Sequence, residues 1–315
     1  LAGLWDQTMT SGSIANIHTI FRLATALVLL PFVGRFERLS KVLVKDDKEV
    51  GTSIGRELSL LDEKLFSSPS LALASAYQAI MKMADLAKEG TSRAFGVIAH
   101  YDRKAIEEIN ANEDRIDQLA DAVDHYLIQL SSHVKEGQNN DHLNFYIQCF
   151  SEFERIGDYA INLTENAQDR EEKSIDFSPE ADKELQILST ALNEILELAC
   201  ASYSTLNVEA AKKIEPLEEV IDDIVATLRK NHIRRLRDGI CTMYSGLTFL
   251  DILVNAERIS DQCSNIAVYT LSQYNPQIMQ SRHEYIRQLH QGEDATFNQE
   301  YREKREKYFS MLQGD

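Results

Sequence analysis

In this 315-residue chain four pairs set an aspartate four positions after a glutamate at places that recur along the sequence: Glu113/Asp117, Glu154/Asp158, Glu218/Asp222 and Glu257/Asp261. On a helix that spacing stacks two carboxylates on one face, a turn apart, where like charges repel. The neighbours expected to relieve them read as uncharged or acidic. They are Ile109, Asn110 and Ile116 beside Glu113, Ala120 and Asp121 beside Asp117, Phe150, Ser151, Gly157, Ile161 and Asn162 around the second pair, and Leu253, Val254, Ser260, Ser264 and Asn265 around the fourth. A counter-charge is therefore expected from another helix, from bulk salt or from a bound metal. Were it a metal, an all-oxygen donor set would suit a hard ion such as Mg, Mn or Fe, and zinc held by nitrogen or sulfur is disfavoured.

Composition narrows the setting. With 43% hydrophobic residues the chain can bury a core, and 13 glycines and five prolines leave few turns. Long runs of 3.6-residue period then imply an all-α protein with short connections. The formal charge of −17 repels phosphodiester backbones, which argues against nucleic acid as a partner. Cys149, Cys200, Cys241 and Cys263 show no CxxC spacing and fall within helical patterns, so they read as small buried hydrophobes in a reducing compartment.

The helices that must position the pairs come in two sets. Ser68-Pro69 and Ser178-Pro179 mark helix starts, and helices are expected near 69–100, 102–135, 139–169, 179–206, 207–237 and 240–274, with Asp102 and Asn207 as caps. The segment from Asp102 aligns with that from Asn207 at a shift of 105 residues, and the segment from Phe153 with that from Ala256 at 103, superposing the acidic pairs. Apolar residues step by fours and threes along Cys149, Phe153, Ile156, Ala160 and Leu163, and again along Ile252, Ala256, Ile259, Cys263 and Ile266. The pairs lie beside these seams, on a rim within reach of solvent cations where carboxylates of adjacent helices could converge. Pro216 is expected to kink the fifth helix or to restart it.

The expected layout is the end of a membrane domain at 1–45, with a transmembrane helix near 14–33, then a linker at 46–67. Two tandem three-helix bundles follow, at 68–169 and 170–276, and a short helical tail at 277–315. Residues 14–33 have the length of a spanning helix and are apolar apart from Asn16, His18 and Arg22. Arg22 would cost about 3 kcal/mol there unless it faces other helices. The basic residues Arg35, Arg38, Lys41, Lys45 and Lys48 come directly afterwards, which places the chain in the inner (plasma) membrane with residues after about 34 in the cytoplasm. The tail is expected either to dock on the bundle or a partner, or to stand in solvent, with His283 and His290 sharing a solvated face.

FERIGDYAINLTE at 153–165 and NAERISDQCSNIA at 255–267, within a fourfold acidic motif on two homologous bundles, resemble the PhoU family of phosphate-response proteins. Residues 14–32 and 61–87, with the HEYIRQL and KREKYF segments of the tail, also resemble the end of type II sodium/phosphate cotransporter proteins that carry a PhoU-like domain; Arg22 stands where that family usually has asparagine. The PhoU resemblance implies surface clusters of divalent or iron ions. Glu113, Asp117, Glu154 and Asp158 would hold one, and Glu218, Asp222, Glu257 and Asp261 the other. Asn162 and Asn265, each four residues after an aspartate, would orient the ligands from behind.

These resemblances imply the carboxyl-terminal portion of a sodium-dependent phosphate symporter, whose cytoplasmic bundle binds metal and regulates uptake. The partners would be the membrane, an upstream transport domain and, through it, sodium and phosphate; a homo-oligomer is left open. The alternative is a freestanding or membrane-tethered PhoU-like regulator of phosphate transport and signalling. No enzyme is expected. A di-metal oxidase needs Glu-x-x-His, which none of the eight histidines supplies, and no nucleophile has a matched base.

Overall fold

The computed structural model describes residues 11–30, 51–135, 137–291 and 294–313, all in helices, turns and short connections, with no strand among them. The chain divides into two units, Leu1–Thr52 and Ser53–Asp315. In the first, helix α1 runs Ser11–Leu29. Among the described residues no helix is long and apolar enough to cross a membrane, which overturns the spanning helix at 14–33 and the inner-membrane placement built on it. The physical reason lies in the polar residues that interrupt the run: Arg22 Nε donates to His18 Nε2 at 3.1 Å, a polar pair in the body of the helix. Residues 31–33 and the basic residues from Arg35 to Lys48 lie outside the described residues.

Residues 51–67, expected as linker, hold helix α2 (Gly51–Leu60) and a 3-10 turn (Glu63–Ser67), with Ile54 and Phe66 buried. The six long helices follow as α3 (Pro69–Ala99), α4 (Arg103–Ser131), α5 (Gln138–Glu172), α6 (Pro179–Thr205), α7 (Val208–Arg237) and α8 (Met243–Ser272). Each bound falls within four residues of the expected one, because the caps do what their residue types dictate. Asp102 accepts from the Lys104 amide, Asn207 from Ala210 and Ser178 from Ala181. Ser68 makes no side-chain cap, so Pro69 alone marks that start. Pro216 neither restarts α7 nor ends it; the helix runs through it.

Helices α3, α4 and α5 pack as one bundle and α6, α7 and α8 as a second, joined where α5 meets α8 and α3 meets α6. Every residue of the seams read from sequence on α5 and α8 is buried. Gly157 explains how closely α5 can approach α4: a Cβ there would stand 3.0 Å from Ile116 Cδ1. Ser260, fully buried, occupies the matching place on α8. Between the bundles, Tyr203 of α6 stacks on Tyr77 and Phe145. Glu152, 2% exposed, accepts from Asn265 and from the Tyr269 hydroxyl at 3.0 Å each. Cys149, Cys200 and Cys263 are buried free thiols and Cys241 is half-buried.

The tail docks on the second bundle through α9 (Gln277–Gln280), α10 (Arg282–His290) and α11 (Ala295–Gln313). Tyr308, fully buried, and Lys304 and Lys307 all donate to Glu194 of α6. Burial would raise the Glu194 carboxyl, but these three donors outweigh it and hold it at about 2. Tyr301 and Arg305 donate to Asp223 of α7 at 2.7 and 3.2 Å. Glu194→Gln, which removes the charge but not the shape, is expected to lower stability by about 1–3 kcal/mol and to expose the lysines of α11 to trypsin. Urea denaturation and limited proteolysis measure both; an unchanged cleavage pattern would mean that apolar contacts alone hold the tail.

Candidate functional site

The first acidic pair stands on α4 and the second on α5, and the contact at Gly157 brings them together. Glu113, Asp117 and Asp158 each offer a carboxylate oxygen within 4.8 Å of the others. Burial, and then the charge of Asp117, push Glu113 up to about 7. Asp158 is also raised by burial and by Asp117, while Arg155 pulls it back. Glu154 lies outside that group of three, but it feels the same field: burial raises it first, then Asp158, Asp117 and Asp121.

The third and fourth pairs meet where α7 faces α8, around a cavity of about 600 Å³ whose lining includes Glu215, Glu218, Glu219, Asp222, Asp261 and His290. Burial, then Glu215 and Asp222, push Glu218 up to about 9. Asp222 rises to about 6 through burial and then the charges of Glu257 and Asp261. Burial also raises Asp261, with Arg258 opposing it. The Asp222 Oδ1 atom is buried without a hydrogen-bond partner. In this half the expectation of an exposed rim is corrected, since Glu218 is only 8% exposed.

The expectation that no cation stands within reach on the same helix is also corrected. Arg155 and Arg258 each precede an aspartate by three residues, and Arg258 Nη1 lies 3.9 Å from Asp261 Oδ2. Arg229 of α7 reaches Glu257 Oε2 at 3.3 Å, drawing that glutamate into an ion pair across the helices. Glu113/Asp117 and Glu218/Asp222 have no such partner among the described residues.

Asn162 and Asn265 do not turn toward the carboxylates they were expected to orient. Asn162 donates to Asn255 at 3.2 Å, and Asn265 donates to Glu152 while accepting from Arg282, so both amides join one bundle to the other or to the tail.

Three participants escaped the sequence reading. Glu215 and Glu219 form a further acidic pair at the four-residue spacing, interleaved with Glu218 and Asp222, so the signal was present in the run EPLEEVIDD. His290 carried no local signal. Expected on a solvated face of the tail, it lies with Nε2 2.9 Å from Glu215 Oε1 and Nδ1 3.1 Å from Glu219 Oε2, a contact made across 75 residues.

Crowded carboxylates and the orphaned oxygen of Asp222 are what a divalent cation would satisfy, and the donor set fits one.

A family model for the PhoU domain matches residues 80–167 and 185–270, the body of both bundles. Among curated proteins, the chain is 23% identical over 274 residues to the putative inorganic phosphate export protein YjbB of Escherichia coli (strain K12), covering 86% of this chain and 50% of that protein. It is 23% identical over 188 residues to the phosphate-specific transport system accessory protein PhoU homolog 1 of Thermotoga maritima, covering 59% of this chain and 80% of that one. The chain thus spans about half the length of the export proteins it matches. Among solved structures, PhoU from Streptococcus pneumoniae superposes with a TM-score of 0.60 at 19% identity, over 66% of this chain and 98% of the other. PhoU from Pseudomonas aeruginosa gives 0.59 at 17%, over 66% and 97%. At those identities the likeness shows the fold. The resemblance to the PhoU family is borne out, while that to type II sodium/phosphate cotransporters finds no counterpart in these matches.

Glu113, Asp222 and Glu218 keep their protons in the fold up to about 7, 6 and 9, whereas in the unfolded chain they release them near 4.5 or below. The folded state therefore binds more protons over that window, and the metal-free protein is expected to lose stability as pH rises through it. Thermal denaturation of chelator-treated protein from about pH 5 to about pH 9 checks this, with Glu218→Gln expected to flatten the slope. A level profile in the parent would mean that the carboxylates are relieved in some other way.

Proposed function

The chain belongs to the PhoU domain family, and on that premise we propose that it is an accessory regulator of phosphate transport whose two carboxylate clusters bind divalent cations. Residues 68–169 and 170–276 would be its two repeats. The observation that carries the reading is that Glu113, Asp117 and Asp158 crowd together in one repeat while Glu218, Asp222 and Asp261, at the equivalent places, line one cavity in the other: like charges held by helix packing, with protein cations answering only some of them. In the first, Glu113, Asp117 and Asp158 would hold the ion, with Glu154 adding to the field. In the second, Glu218, Asp222 and Asp261 would do so, with Glu257 shared with Arg229. The ion would be Mg, Mn or Fe, supplying the positive charge that those groups lack.

Support for the transport role comes from the relatives, whose names describe phosphate export and a phosphate-specific transport accessory function. Neither name carries sodium coupling, so the regulator is preferred to the end of a sodium-dependent symporter.

Asp158→Ala and Asp261→Ala are each expected to lower the metal content of the purified protein, and the double variant to bring it to background, as read by mass spectrometry of the acid-digested protein. Cells carrying the double variant should then accumulate phosphate at a level different from the parent. Unchanged metal in the double variant would refute the site assignment, and lost metal with unchanged phosphate would refute the regulatory role.

A further inference from the structure

The two clusters differ in one respect that the repeat does not explain. The first is built of carboxylates alone, Glu113, Asp117 and Asp158. At the second, Glu218 is shared with a neighbouring set: Glu215 and Glu218 of α7 and His290 of α10 each offer a ligand atom within 4.8 Å of the others, so an imidazole from the tail extends the carboxylates there. Glu218 is 8% exposed, opens on the cavity, and takes no hydrogen bond or ion pair from any described residue. Such a group points to a ligand that the protein itself does not supply. Glu215 is steadied by the Ser264 hydroxyl, which donates to Oε2 at 2.5 Å. His290 is steadied against Phe297 of α11, ring centroids 5.7 Å apart.

We propose that His290 serves as a ligand carried by the C-terminal segment, so that a divalent cation accepting nitrogen as well as oxygen, such as Mn2+, bridges Glu215, Glu218 and His290 and fastens α10 onto α7. Mg2+ is a poor occupant, because it prefers oxygen donors and gives up water reluctantly. The first cluster, with no nitrogen, takes either ion. Occupancy of the second cluster thereby sets how firmly the tail is held, which gives the bundle a metal-dependent surface. This inference rests on the cation-binding reading above.

The test uses the full chain, stripped of metal with chelator and titrated with Mn2+ or Mg2+. In the parent, Mn2+ is expected to slow amide hydrogen exchange across residues 282–291, and Mg2+ to leave it unchanged. His290 keeps 33% of its side chain exposed, so replacing it leaves the core intact. His290→Ala and His290→Gln should each weaken Mn2+ binding at the second cluster about tenfold or more, abolish the slowing at 282–291, and change Mg2+ binding less than about twofold. Equal Mn2+ affinity in parent and both variants, or exchange at 282–291 that ignores Mn2+, would overturn the proposal. If the parent still binds cation at Glu113, Asp117 and Asp158, the cation reading survives that failure. A parent that binds neither ion at either cluster overturns both.

Discussion

Helix packing forces carboxylates together against their own repulsion, and the rest of the molecule is arranged around that conflict. Two carboxylates roughly 5 Å apart repel by about 3 kcal/mol at an effective dielectric near 20. Each Ile or Leu buried along the seams contributes about 1.5–3 kcal/mol. Several such residues line each of α4, α5, α7 and α8, so packing wins and the acids stay where the helices put them. Gly157 marks a close approach of α5 to α4, and the fully buried Ser260 occupies the matching place on α8. Burial first, and the repulsion after it, raises the affinity of these carboxyls for protons.

The two halves answer the same problem differently. At the first cluster the relief within the protein is Arg155, which follows Glu154 and precedes Asp158 by three residues, and it also makes a 3.6 Å ion pair with Glu152 and lines the second cavity. At the second, Arg229 takes Glu257, Arg258 leans on Asp261, and the tail brings in His290 and Arg282. Even so, Glu218 is left buried with no positive partner among the described residues. Divergence after duplication has therefore kept the carboxylates and altered what surrounds them.

Polar contacts across the bundle interface tie the clusters to one frame. Glu152 sits two residues before Glu154 and is gripped by Asn265 and Tyr269 of α8, while Asn162 of α5 donates to Asn255. Both helices that carry an acidic pair in one bundle-facing position thus also carry the amides that lock the bundles together. A shift of α5 against α8 would have to break buried hydrogen bonds, which costs the desolvation of each group left unpaired.

The sequence by itself determined the helices, their caps and their duplication, because hydrophobic period and capping chemistry act over a few residues and leave a local trace. It also marked the eight paired carboxylates, and the run holding Glu215 and Glu219 was there to be read. At α1 its apolar stretch has the length of a spanning segment, but Asn16, His18 and Arg22 interrupt it, and α1 falls short of the length and apolarity needed to cross a membrane. Only the tertiary structure decided that Arg229 reaches Glu257, that Asn162 and Asn265 face the other bundle or the tail, and that His290 lies on Glu215. Those contacts join residues 17 to 113 positions apart. Their geometry depends on how whole helices cross, and a side chain's type and neighbours along the chain carry no record of that.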